Sequence, residues 1–154
     1  MSVFLANEQG ERVELTELRG LAETILRDEG YPETAEVTIL LVSDDEMAGY
    51  NERFLDRDGP TDVLAFPLEE LIPGVTPDLN PHGPPLMLGD VLIAPSYVRR
   101  NAAEMGVGYE DEIALMVTHG LLHLLGYDHE DDEDAQRMED KERHLLSLVG
   151  RERR

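Results

Sequence analysis

The sequence of 154 residues contains no cysteine, few basic residues and no long apolar run. Without cysteine, disulfides and thiolate metal sites are excluded, so a tightly bound transition metal must use histidine and carboxylate ligands. No apolar run reaches the length of about 18 residues that suggests a membrane helix. The first segment, MSVFLANEQG, also lacks the pattern of a secretory signal. We therefore expect a cytosolic protein with no membrane contact.

The charge balance is strongly acidic, with 13 Lys and Arg against 34 Asp and Glu and a formal net charge of −21. Such a surface repels polyanions at long range, so the chain has no general signature of nucleic-acid binding. Any RNA-binding function then requires a local basic cleft, a metal or a protein partner. For most of the acidic residues, solubility is the simpler interpretation.

The length fits one domain over residues 1–154, and hydrophobic patterning divides it into alternating strands and helices. Strands are predicted at residues 2–7, 37–42, 62–66 and 88–94. Helices are predicted at residues 14–29, from residue 43 onward, at 95–105, at 109–125 and in the acidic C-terminal segment. A proline-rich loop is expected at about residues 68–87. The pattern predicts an α/β (α+β) fold, with a sheet of about four strands packed with about five helices.

Two of these helices carry more detailed expectations. Ser43 with Glu46 has the pattern of a capping box, which opens a helix whose predicted inner face is formed by Met47, Tyr50 and Phe54. The closing helix is supported by four apolar residues, Met138, Leu145, Leu146 and Val149.

Three histidines have the spacing of metal ligands. His119 and His123 lie four residues apart on a predicted helix, which places their side chains on one face, about 6 Å apart at Cβ. Gly126 allows a left-handed backbone that ends the helix and returns His129 towards the same point. The alternative is that these are ordinary polar residues on a half-buried helix. Because the run HGLLHLLGYDH has the ligand spacing of the metzincin motif, we favour metal binding.

Three neutral imidazoles with one open position are typical of a catalytic zinc site rather than a structural one. We predict one Zn²⁺ ion per chain, although Ni²⁺ or another transition metal also accepts imidazole ligands. Gly120 occupies the position at which metzincins carry their general-base glutamate, so peptide hydrolysis by that route is disfavoured. Zinc lowers the pKa of its bound water towards about 7 or polarises a phosphoryl oxygen, and either role suits phosphodiester cleavage.

The segment HGLLHLLGYDH, with PTDVLAFP at residues 60–67 and LGD at 88–90, resembles the YbeY endoribonuclease family of rRNA maturation factors. The likeness covers nearly the whole chain, including the acidic helix that carries Met138 and Glu142. It implies a small mixed sheet, a metal on the three histidines and endonuclease activity on single-stranded RNA. It also implies work in ribosome assembly, chiefly at the 3′ end of small-subunit (16S) rRNA, with small-subunit proteins and an assembly GTPase as partners.

Two positions depart from the family pattern. Many members have an arginine, thought to act in catalysis, at the position of Leu55, and Ala65 replaces the serine of their VLSF segment. A cation that contacts phosphate is expected beside the metal, because the transition state concentrates charge on phosphoryl oxygens. Arg57 is the first candidate and Arg53 the second. The alternative is that both are solvated surface charges.

Five other polar residues are weaker candidates for the functional site. Asp128 either orients a ligand imidazole or solvates the end of the helix. Asp62 and Asp90 are interpreted as turn or cap residues. His82 and His144 are expected on the surface.

Three functions therefore remain open from the sequence. The first is a single-strand-specific endoribonuclease of rRNA maturation. The second is a metal-dependent hydrolase of another substrate, such as a peptide. The third is a non-catalytic ribosome assembly factor that keeps its metal for stability, and Leu55 favours this third function over the first.

Overall fold

The computed structural model describes residues 1–77 and 82–154. Its elements, in chain order, are β1 Ser2–Asn7, α1 Leu15–Asp28, β2 Ala35–Leu41, α2 Asp44–Leu55, β3 Val63–Pro67, β4 Leu86–Ile93, α3 Pro95–Met105, α4 Tyr109–Leu124 and α5 Asp132–Ser147. Every predicted strand and helix is present, so the predicted fold class is confirmed. Within the described part of the chain, no helix is both long and apolar enough to span a bilayer.

The four strands form one mixed sheet in the order β1-β2-β4-β3. β1 pairs with β2 and β2 with β4 in parallel, whereas β3 runs antiparallel to β4. β1 and β3 are consequently the edge strands. Burial alternates along β2, where Val37, Ile39 and Leu41 point into the main core.

The two faces of the sheet are covered unequally. Helices α1 and α4 pack on one face and form the main core with the central strands, and α5 adds to that core by packing on α4 and α1. On the other face a smaller cluster is built around Met47 of α2, Leu64 of β3 and Leu92 of β4. Ser43 caps α2 as expected, because its Oγ accepts a hydrogen bond from the backbone N–H of Glu46 at 3.2 Å.

Helix α4 approaches the sheet closely at Gly120. A Cβ at this position would lie 2.5 Å from Cγ1 of Val91 and 3.3 Å from Cγ2 of Val63. Val91 is fully buried and β-branched, so its side chain has little freedom to move away. Gly120 is therefore required by packing, although it lies in the middle of a helix.

Three details differ from the prediction. Phe54 does not lie on the inner face of α2, since it is 59% exposed and packs on the rings of Tyr50 and Phe66. Val149 is outside α5, which ends at Ser147, and it is 38% exposed. The proline-rich loop is shorter than residues 68–87 because β4 already begins at residue 86; its prolines include Pro81, which lies outside the described residues.

Replacing Gly120 with alanine should destabilise the protein. The added methyl group overpacks the contact with Val91, which typically costs about 1–3 kcal/mol, while the gain in helix propensity returns at most about 1 kcal/mol. Chemical denaturation of the two proteins would measure the difference in the free energy of unfolding. Gly20→Ala in α1 is the matched control, because nothing lies within 4 Å of its Cβ position. We expect that control to be slightly stabilised; equal gains in both variants would contradict the close packing of α4.

Candidate metal centre

The three predicted ligands lie together in the structure. His119 and His123 occupy successive turns of α4, and His129 follows in the loop before α5. The Nε2 atoms of His119 and His123 are 3.1 Å apart. One nitrogen from each of the three rings lies within 4.8 Å of the other two. His119 and His123 are half-buried and His129 is exposed, so the cluster opens to solvent on one side.

Gly126 turns the chain back as its sequence position predicted. Its φ of 99° is left-handed, and its N–H donates to the carbonyl of His123 at 3.1 Å. A Cβ here would lie 2.1 Å from the carbonyl oxygen of Leu71. Both the backbone conformation and the contact with the proline-rich loop therefore require glycine. This turn brings His129 to the other two rings.

A buried carboxylate orients His119. Oε2 of Glu142, a residue that is only 1% exposed, lies 2.9 Å from Nδ1 of His119. The other oxygen of the carboxylate accepts a hydrogen bond from Nε of Arg153 at 3.1 Å. Burial alone would raise the pKa of Glu142, but the hydrogen bonds from His119 and Arg153 outweigh it and the pKa is lowered. With Nδ1 engaged by Glu142, Nε2 of His119 faces the cluster.

The ring of His123 is held in its neutral form. Burial, followed by the nearby rings of His119 and His129, lowers its pKa from 6.5 to about 4. A hydrogen bond to the backbone of Tyr127 acts in the opposite direction but does not restore the ordinary value. A neutral imidazole is the form that binds a metal ion, so His123 needs no deprotonation near neutral pH.

The weaker candidates from the sequence lie in turns, in a strand, on the surface or in the core. Among the described residues, Asp128 has no hydrogen bond to any of the three histidines; its Oδ1 accepts from the backbone N–H of Glu130 at 3.3 Å. Asp62 acts as a turn residue, because its Oδ1 accepts the N–H of Val63 at 2.8 Å. Asp90 lies within β4 rather than at a turn. His82 is exposed in the loop, and His144 is half-exposed and lies 3.2 Å from Asp28. Met138 is buried in the core, as expected.

The two candidate arginines lie at the end of α2 and just beyond it. The guanidinium of Arg53 lies over the ring of Tyr50, at 5.3 Å from its centroid, and over that of Phe54, at 5.8 Å. Arg57 is exposed, and its backbone N–H donates to the carbonyl of Asn51 in the C-cap of the helix. Leu55 is 41% exposed in the last turn. Among residues 1–77 and 82–154, no hydrogen bond joins either arginine to the three histidines.

The donor set and its geometry fit a transition-metal ion. Imidazole nitrogens that bind a metal at about 2.0–2.1 Å in tetrahedral geometry lie about 3.3 Å apart. The observed separation of 3.1 Å between the Nε2 atoms of His119 and His123 is close to that value. The three histidines are thus positioned to bind a metal ion. The fold and the cluster define an α/β layer protein whose three histidines form a solvent-open cluster suited to a metal ion.

Comparison with known proteins narrows that class. The sequence profile of the family described as "Endoribonuclease YbeY" matches residues 4–150. A protein named Endoribonuclease YbeY from Acidothermus cellulolyticus is 44% identical over 138 residues, which cover 89% of this chain and 84% of that protein. The protein of the same name from Mycolicibacterium gilvum is 39% identical over 146 residues, or 95% of this chain and 82% of the relative.

A solved structure agrees with this result. The solution structure of TM1509 from Thermotoga maritima superposes with a TM-score of 0.61 at 29% sequence identity, covering 96% of this chain and 91% of that one. The chain belongs to the YbeY endoribonuclease family, as its resemblance in the histidine motif and in PTDVLAFP predicted.

Glu142→Gln should weaken metal binding by about 10- to 100-fold, because carboxylates that orient a ligand imidazole typically contribute that much. Competition with a chromophoric chelator would measure the affinity. Glu139→Gln is the matched control, since Glu139 lies on the same helix and also pairs with Arg153, at 3.3 Å, but does not touch a histidine. Equal affinities in the two variants would contradict the orienting role of Glu142.

The metal-free protein should lose stability as the pH is lowered from about 6.5 to about 4. In that window His123 of the unfolded chain takes up a proton, whereas the folded protein resists protonation until about pH 4. The unfolded state then binds more protons, so the free energy of unfolding falls with the pH. Urea denaturation in the presence of a chelator, compared between wild type and His123→Gln, would measure this effect. Parallel pH profiles for the two proteins would show that His123 is not the group responsible.

Proposed function

We propose that this chain is a zinc-dependent endoribonuclease that hydrolyses single-stranded RNA and acts in the maturation of small-subunit rRNA. The observation that carries the proposal is the three-histidine cluster, with His119 oriented by the buried carboxylate of Glu142, in a chain of the YbeY endoribonuclease family. Relatives that match most of this chain bear the name endoribonuclease. The 3′ end of 16S rRNA is the proposed target.

The proposed chemistry divides between the metal and the chain. His119, His123 and His129 would hold Zn²⁺, which supplies a nucleophilic water or a Lewis acid for the phosphodiester. Glu142 keeps the His119 ring oriented, and burial keeps His123 neutral. Position 120 has no room for the general-base glutamate of zinc peptidases, because even a Cβ there meets Val91. This supports phosphodiester cleavage over peptide hydrolysis.

Arg57 and Arg53 are the proposed phosphate contacts. Most of the 13 basic residues are ion-paired with carboxylates, but within residues 1–77 and 82–154 these two arginines have no carboxylate partner within 4 Å. Their charges are therefore available to a polyanion. With so few free cations on a chain of net charge −21, affinity for free RNA should be weak. We propose that small-subunit proteins and an assembly GTPase deliver the enzyme to its substrate.

The central experiment incubates the metal-loaded protein with single-stranded RNA, double-stranded RNA and casein. We expect cleavage of the single-stranded RNA alone, and its loss in His123→Ala together with a lower melting temperature, because a bound metal stabilises the folded state. Cleavage of casein would instead support a peptidase. No cleavage of any substrate would favour the non-catalytic assembly factor that keeps a structural metal. The leucine at position 55, where many family members have arginine, favours the same function.

The affinity of the wild-type protein for RNA should depend only weakly on salt. The logarithm of the affinity should vary with the logarithm of salt concentration with a slope of about −1 to −3, because only a few phosphates are neutralised.

Arg57→Glu should weaken RNA cleavage regardless of base sequence, since a phosphate contact positions the substrate without reading its bases. Arg19→Glu is the control: it makes the same charge change at another arginine without a carboxylate partner, one that donates to the carbonyl of Val3. If only Arg53→Glu abolishes cleavage, the roles of the two arginines are reversed; if neither variant changes it, the arginine contacts are wrong.

A further inference from the structure

Three aromatic rings and one guanidinium contact one another at the end of α2. The rings of Tyr50 and Phe54 lie 6.0 Å apart at an angle of 19°, and Phe54 meets Phe66 of β3 edge-on at 5.5 Å. The guanidinium of Arg53 lies over the rings of both Tyr50 and Phe54. We call these four residues the aromatic platform.

The platform is not explained by packing of the core. Tyr50 and Phe66 lean on the small cluster around Met47, but Phe54 remains 59% exposed and is not part of that cluster. Arg53, although it is surrounded by an excess of acidic residues in the chain, contacts rings rather than a carboxylate in the part of the chain that the structure describes. More than half of the Phe54 residue is therefore accessible to a ligand.

The platform shares an edge strand with the candidate metal centre. Val63 of β3 lies against Gly120, the residue that follows His119 in α4. Further along the same strand, the backbone of Phe66 and Pro67 lies beside Gly89 and Leu124, close to the turn that carries His123. Both groups of residues therefore adjoin the same edge strand: Val63 packs on α4, and Phe66 packs with Met47 on the α2 side of the sheet.

Single-stranded nucleic acid is the occupant that this combination fits. Unpaired bases stack on aromatic rings and on arginine planes, whereas the bases of a duplex are already stacked on each other. Arg57, which follows α2 and has no carboxylate partner among the described residues, adds a charge for a phosphate beside the rings. Guanidinium groups without a carboxylate partner in the described residues attract an anion, and the exposed ring beside them favours nucleic acid over an acidic protein surface, because only nucleic acid offers bases that stack.

We propose that the aromatic platform stacks unpaired bases of the RNA and so selects single-stranded substrate for the metal centre. The proposal rests on the proposed ribonuclease function for the class of ligand. Stacking is tolerant of base identity, because every base has a flat face. The platform therefore discriminates between paired and unpaired RNA and not between sequences.

The test uses the metal-loaded full chain and two single-stranded probes with the same number of phosphates. One probe is a short fluorescent oligodeoxyadenylate, and the other is its abasic counterpart; neither carries the 2′-hydroxyl groups of RNA. Fluorescence anisotropy should show tighter binding of the probe that has bases. Phe54→Ala should weaken that binding by about five- to a hundredfold and leave the abasic probe unaffected. Because Phe54 is 59% exposed, its truncation removes little buried area, and circular dichroism would check that the variant is folded.

Phe4→Ala is the matched control, because Phe4 is 55% exposed on the opposite edge strand and lies outside the platform. It should bind both probes as the wild type does. Equal binding of the two probes by the wild type would overturn the proposal, as would Phe54→Ala with unchanged affinity, which would leave the rings to a protein partner. If the protein binds the probe with bases more tightly but cleaves no RNA, the ribonuclease proposal is wrong and base stacking on the platform still holds. If it cleaves RNA and Phe54→Ala binds both probes as the wild type does, the ribonuclease proposal holds and base stacking on the platform is wrong.

Discussion

Glu142 is almost completely buried, so its negative charge must be compensated by nearby groups. The free energy of desolvating one such ion amounts to several kcal/mol, so partners with good geometry are needed on both oxygens. Glu142 finds His119 on one side and Arg153 on the other. The same contact joins α4, α5 and the C-terminal segment, and it fixes the ring whose other nitrogen faces the histidine cluster. Folding and the arrangement of the histidines are therefore coupled.

The use of positive charge follows from the acidity of the chain. Arg153 and Arg154 compensate buried glutamates, the second of them Glu112, which is 3% exposed. Other arginines make surface ion pairs, which contribute little to stability. Arg53 and Arg57 belong to neither group within the described ranges, and both lie where α2 meets the edge of the sheet. Two of the cations without a carboxylate partner in the described ranges thus lie at one place, whereas Arg19 donates to the carbonyl of Val3 elsewhere.

The order of the elements and the clustering of the three histidines were predictable from the sequence because both depend on local spacing. His119 and His123 share a helix face, and Gly126 marks the turn that returns His129. Glu142 could not be assigned to His119, since the two are 23 positions apart and the chain contains 34 carboxylates. Phe54 has the helical spacing of an inner-face residue, but α2 ends at the edge strand, where its last turn has no core to cover. Periodicity reports which residues share a face and not how far the opposing surface extends.

The contact of Gly120 with Val91 and Val63 has an evolutionary consequence. In a zinc peptidase of the metzincin type, the residue after the first histidine is a glutamate. Here the same motif is packed so tightly on the sheet that a single substitution to glutamate would have to displace a fully buried valine. A lineage that passed between the two chemistries would first need smaller residues in β3 and β4. In this chain, a glutamate at position 120 would thus require a change in the sheet as well as one mutation in the motif.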